Sequence, residues 1–347
     1  MRQTVVAALL LFAGVAPSSA GVIFNFAGST LGGGSRWDAA PREINLGGTL
    51  YERSLDGGLR YSVQGGSYQA FRDLFSWSGA VPSVADFTLA VTEAFDAWTV
   101  PDPVTQLTTA IKFIPDFTTA VVGFNTGSGG LDPRGAEVDL FGSNDAGFWN
   151  PGNTGLQGET RFGGIGSTVA LTSGTLNYAG SFAIDGADII MNSNPGARYT
   201  LDLFRRVLTH EIGHTIGLGD VEGDINPGKF IDDNYNGSSS ATALATLTNS
   251  WALLVNPLDP GSSVGLQRYT VPSANPGLTT PGVDILMESR GVGIGLTDPV
   301  TNLFPLTNDD YGTRQFLYPS LTTIPEPAAA ALIGSALIAF LARRRSR

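Results

Sequence analysis

The stretch HEIGHTIGLGD, residues 210–220, decides how the rest of the chain is read. It holds the only two histidines among 347 residues, His210 and His214, four positions apart, with Glu211 beside the first. On an α-helix, residues four apart share one face and sit about 5.4 Å from each other along the axis. Both imidazoles can then aim a ring nitrogen at one ion, at about 2.0–2.1 Å if that ion is zinc. Glu211 comes near such an ion without ligating it, which is where a general base for a metal-activated water has to stand. A catalytic zinc takes three protein ligands and keeps one position open for water. With no further histidine and no cysteine in the chain, the third ligand is a carboxylate. Gly217 allows a sharp turn after the helix, and that turn would bring Asp220 back under the ion. Glu222 and Asp224 are the fallback candidates.

Working outward, YTLDLFRRVLTHEIGHTIGLGD reads as one helix. Leu201, Phe204, Val207/Leu208, Glu211/Ile212 and Thr215 mark a periodic face, and Gly217 with Gly219 supplies the stop. A second helix is expected in VPSVADFTLAVTEAFDAW, from Val84, Phe87, Val91, Ala94/Phe95 and Trp98, with Ser83 and Asp86 as a cap signal and Pro101 and Pro103 beyond its end. LRYSV (59–63), IKFIPDF (111–117), TAVVGF (119–124) and AEVDLF (136–141) read as strands, and residues 168–192 as further strands ending in ADIIMN (187–192). Glycine, asparagine and proline make residues 125–166 read as a long loop. Leu244, Leu247, Trp251 and Leu254 suggest another helix, and Thr307 with Asp310 caps a last short one ahead of Pro319.

HEIGHTIGLGD fits the metzincin pattern H-E-x-x-H-x-x-G-x-x-H with Asp in the last place, and so resembles the snapalysin-type members of that clan of zinc peptidases. DILMES looks like the clan's Met-turn, which would put Met287 beneath the metal. ADIIMN resembles the edge strand against which substrate lies extended, and LTNDDYGTRQFLYP the final helix of matrixin-like domains. SVADFTLAVTEAFDAW followed by IKFIPDF resembles their first helix and the strand after it. The likeness runs in order from about residue 59 to 319, and only the zinc motif in it is highly specific. It implies an α+β, zincin-like fold of two subdomains, with a twisted mixed sheet and an active-site helix. It also implies a zinc endopeptidase acting on polypeptide. The chain departs from the pattern in the 66 residues between Asp220 and Met287, and in lacking a tyrosine two places after Met287.

Both ends read as addresses. MRQTVVAALLLFAGVAPSSA has a basic start at Arg2, an apolar run from Val5 to Val15, and small residues Ser18 and Ala20 before a cleavage point, the layout of a secretory signal peptide. At the other end stand Pro325-Glu326-Pro327, then 15 apolar or small residues, then RRRSR. This resembles the PEP-CTERM sorting signal of Gram-negative bacteria. It implies an exosortase-type enzyme as partner and delivery to the envelope or outside the cell, with the membrane engaged through the tail before processing. A plain C-terminal membrane anchor is the alternative, although the apolar run falls short of the ~20 residues a spanning helix needs. The expected organisation is a signal peptide over 1–20, a peptidase domain over 21–320 with its upper part ending near 217, and a sorting tail over 321–347.

Removing residues 1–20 and 328–347 takes away five arginines and no acid, leaving 31 acidic against 15 basic residues. A nucleic-acid partner is therefore excluded as a class. The absence of cysteine leaves stability to packing and bound cations. Asp232, Asp233 and Asn234 offer oxygen ligands of the kind calcium takes, but without EF-hand spacing a solvated turn explains them as well. Two histidines and a carboxylate also describe non-haem iron oxygenases; the adjacent glutamate favours hydrolysis. The remaining alternative is a non-catalytic envelope or matrix protein with a structural metal site, against which an intact Glu211 speaks, because a structural site needs no base.

Overall fold

The computed structural model describes residues 21–22, 35–39, 41–46, 48–101, 108–123, 134–144, 158–172, 176–219, 230–231, 286–287, 306, 310, 313–314 and 317–318. The first elements are strands β1 (Gly21–Val22), β2 (Ser35–Arg36), β3 (Arg42–Leu46), β4 (Thr49–Arg53) and β5 (Leu59–Val63), then helix α1 (Tyr68–Arg72), β6 (Ser76–Trp77) and helix α2 (Val84–Asp96). There follow β7 (Phe113–Pro115), β8 (Val138–Ser143), β9 (Gly158–Thr172), β10 (Leu176–Asn192), β11 (Arg198–Tyr199), helix α3 (Leu201–Thr215) and β12 (Phe230–Ile231).

The main sheet runs β9, β10, β8, β5, β7. Every pairing in it is parallel except β9 with β10. Because β9 pairs with β10 from Leu176 to Met191, β2 and β8 must share the opposite edge of β10. One face of the sheet carries Leu59, Tyr61 and Val63, Val138 and Leu140, and Ala187, Ile189 and Met191, packed in one core with Phe87, Val91 and Phe95 of α2 and Phe204, Leu208 and Ile212 of α3. Ile184 joins that face despite its odd spacing from Ala187. The register slips between Ile184 and Gly186, and a one-residue bulge resets which side chains point inward.

The other face is also buried, as expected of parallel strands covered on both sides, and mixes Ile190 with polar side chains. Ser62, Asp139 and Asp188 lie side by side in register across β5, β8 and β10, each no more than 1% exposed. Asp139 accepts hydrogen bonds from the Ser62 hydroxyl and from the backbone N–H groups of Val122 and Ala136. Burial nonetheless pushes its carboxyl up to about 6. Glu137 takes Arg53 Nη1 at 2.9 Å and Arg60 Nε at 2.9 Å.

The helices form where capping and periodicity agree. The Ser83 hydroxyl accepts from Asp86 N at the start of α2, and the Thr200 hydroxyl from Leu203 N at the start of α3. Phe87, Ala90, Val91, Ala94 and Phe95 give α2 a single buried stripe. From Arg206 to Thr215 every residue of α3 is buried, so its polar side chains must find partners inside.

Several expectations need correction. ADIIMN is not an edge strand: residues 187–192 lie inside the sheet, bonded to β8 on one side and β9 on the other. Among the described residues the edge on that side is β9, and its first nine residues fall in the stretch read as loop. Four glycines there (158, 163, 164 and 166) weaken the strand signal. TAVVGF forms no strand over its described residues, 119–123. IKFIPDF is a strand only over Phe113–Pro115. Helix α2 stops at Asp96, ahead of Pro101, and Arg314 Nη1 donates to the carbonyls of Trp98 and Val100 beyond its end. The helix expected over 244–254, the calcium-type residues 232–234 and both terminal segments lie outside the described residues. Among those that are described, no helix is long and apolar enough to cross a membrane.

Candidate metal centre

His210, Glu211 and His214 sit in the last two turns of α3, exposed by only 2%, 4% and 6%. Each ring is tied through Nδ1 to a main-chain carbonyl. His210 Nδ1 is 2.7 Å from Leu286 O, and His214 Nδ1 is 2.8 Å from Leu218 O. A carbonyl oxygen only accepts, so both Nδ1 atoms carry the proton and, in the neutral rings, both Nε2 atoms present a lone pair. The two Nε2 atoms are 3.0 Å apart, with the rings at 89° to each other. Two lone pairs facing each other at that distance call for a shared cation. Tetrahedral zinc with bonds of about 2.0–2.1 Å would hold its nitrogens roughly 3.3 Å apart, so the pair fits such an ion with a small adjustment. Each backbone carbonyl stands where the outer partner of a metal-ligating ring would stand.

The turn that follows is held from both ends of the chain. Gly217 has φ +97°, and a β-carbon there would lie 2.1 Å from Ser35 O, so both the conformation and the close approach require glycine. Trp37 Nε1 donates to Thr215 O at 2.9 Å, and the Tyr318 hydroxyl donates to Ile216 O at 2.8 Å while accepting from Trp37 N at 3.0 Å. These bonds satisfy carbonyls that the end of a helix would otherwise leave orphaned.

Met287 is 2% exposed and packs against α3 at Gly213. A β-carbon on Gly213 would lie 2.5 Å from Met287 Sδ and 2.7 Å from Trp98 Cζ2. Trp98 Nε1 also donates to Thr209 O at 2.8 Å. The residue before Met287 supplies the carbonyl that holds His210, so one two-residue segment both fixes the ring and packs against the helix at Gly213.

On the other side of the helix Glu211 meets β9. Thr160 Oγ1 is 2.7 Å from Glu211 Oε2 and 2.9 Å from Glu211 O. The structure thus brings together His210, His214, Glu211 and Met287. Asp220, Glu222 and Asp224 lie outside the described residues, and among the described ones no group of three or more ligating side chains is gathered. Trp37, Trp98, Thr160, Gly158 and Tyr318 are contributors that reading the sequence missed. Gly213 carried a signal: a mid-helix glycine costs about 1 kcal/mol relative to alanine, which points to something packed close.

No family model matches the chain, and no curated protein matches it.

Proposed function

We propose that the protein is an exported zinc-dependent endopeptidase. The observation that carries the reading is the pair of Nε2 atoms 3.0 Å apart with Glu211 next in the helix. A bound zinc ion would supply Lewis acidity and lower the pKa of a water to about 7. His210, His214 and Asp220 would hold it, with Met287 as the floor. Glu211 receives a proton from the attacking water and passes it to the departing amine, so one buried carboxylate serves as base and then acid. Strand β9 supports the reading further, since it is the antiparallel edge beside α3 and an extended polypeptide can pair along such an edge. The signal-like start, the sorting-type tail and the acidic balance fit a protein that works in the envelope or outside the cell.

The test is cleavage of denatured casein by the purified chain with added zinc, beside Glu211→Ala. We expect cleavage by the wild type alone, with zinc retained in both. Loss of zinc from Glu211→Ala would remove the assignment of base to that residue. A folded, zinc-loaded wild type that cleaves nothing would favour a structural metal site in a non-catalytic envelope protein.

A further inference from the structure

We infer that strand β9 positions the base: Thr160 orients the Glu211 carboxylate and Gly158 leaves the space that it occupies. This rests on the reading of Glu211 as the base and extends it to residues more than fifty positions away in sequence.

The placement follows from register. Thr160 pairs with Ile189 and Gly158 with Met191. Ile189 and Met191 belong to the core that the sheet shares with the helices, and directly paired residues on neighbouring strands point to the same face. Thr160 and Gly158 therefore point at α3. A β-carbon at 158 would lie 2.5 Å from Glu211 Oε1 and 2.8 Å from its Cγ, so any side chain there would push the carboxylate aside. Two positions along, the Thr160 hydroxyl has two acceptors within reach, Oε2 at 2.7 Å and the Glu211 carbonyl at 2.9 Å.

A hydroxyl has one proton to donate at a time. While Glu211 is charged, the charge-assisted bond to Oε2 is the stronger of the two, and it fixes the carboxylate plane against β9. Once Glu211 is neutral, the same hydroxyl can turn to the main-chain carbonyl without moving a heavy atom. Thr160 thus holds the charged carboxylate in one orientation as it takes the proton, and its own donor keeps a partner afterwards. The Thr160 side chain acts through Glu211 and not on metal or substrate, which makes it a positioning residue.

Thr160→Val keeps the shape and the β-branch and removes the donor, while Thr160→Ser keeps the donor and removes a methyl. On a peptide substrate we expect Thr160→Val to lower kcat about 10- to 100-fold, the range for losing a hydrogen bond to a charged group. KM and zinc content should hold, and Thr160→Ser should recover most of the rate. A second readout needs no turnover. The infrared carboxylate band of Glu211, isolated by difference against Glu211→Gln, should move in Thr160→Val and return in Thr160→Ser. An unmoved band, or equal loss of kcat in both variants, would overturn the inference, since the effect would then be one of packing. If no form cleaves any peptide, the peptidase reading fails and the band alone decides whether Thr160 orients Glu211.

Discussion

At the scale of single residues the candidate site depends on two glycines as much as on its histidines. Gly158 makes room for the Glu211 carboxylate, and Gly213 lets Met287 and Trp98 close on the helix one residue before His214. A methyl group at 213 would gain about 1 kcal/mol of helix propensity and lose about 1–3 kcal/mol to overpacking. Gly213→Ala should therefore lower the midpoint of urea unfolding; a variant as stable as the wild type would show that Met287 can step aside. The spacing of His210, Glu211 and His214 was legible because helical periodicity is a local property. Thr160 was not, because a threonine 51 positions from its partner leaves no local trace.

At the scale of elements, the end of α3 is a junction where three distant segments meet. Trp37 next to β2, Leu286–Met287, and Tyr318 near the C-terminal end each bond to the helix or the turn after it. Tyr318→Phe tests the junction with almost no change of shape. It removes the donor to Ile216 O and the acceptor of Trp37 N, both buried. Leaving those groups without partners should cost about 2–4 kcal/mol. Zinc affinity should fall with it, because the turn carries Leu218 O, the partner of His214 Nδ1. Calorimetry of unfolding together with zinc titration would check both, and unchanged zinc affinity would detach the junction from the metal centre. Helices α2 and α3 were read nearly to their ends because caps and stripes are written within a few residues, while the five-residue α1 is too short to show a stripe and was not read. The edge strand was misplaced because β9 is glycine-rich and gains its order from pairing with β10.

At the scale of the whole molecule the sheet has two buried faces, one apolar against the helices and one that sets Ser62, Asp139 and Asp188 beside Ile190. Burial raises the Asp139 carboxyl to about 6, against an ordinary value of ~3.9. Between those values the folded chain binds more proton at this site than the unfolded chain, so its contribution to stability falls as pH rises. The stability advantage of the wild type over Asp139→Asn, measured by urea unfolding, should shrink by about 2–3 kcal/mol from pH 4 to pH 7. A constant difference across that range would mean that the carboxyl titrates alike in both states.

What the amino-acid sequence determined by itself was local. Two histidines at helical spacing, a glutamate beside them, caps at Ser83 and Thr200, and a glycine where the chain turns all act within a few residues. Tertiary structure alone decided which strand stands at the edge, which hydroxyl reaches Glu211, and which carbonyls set the tautomers of His210 and His214. Those features arise where segments far apart in the chain are packed together, and a hydrogen bond between them depends on a distance that only the folded core sets.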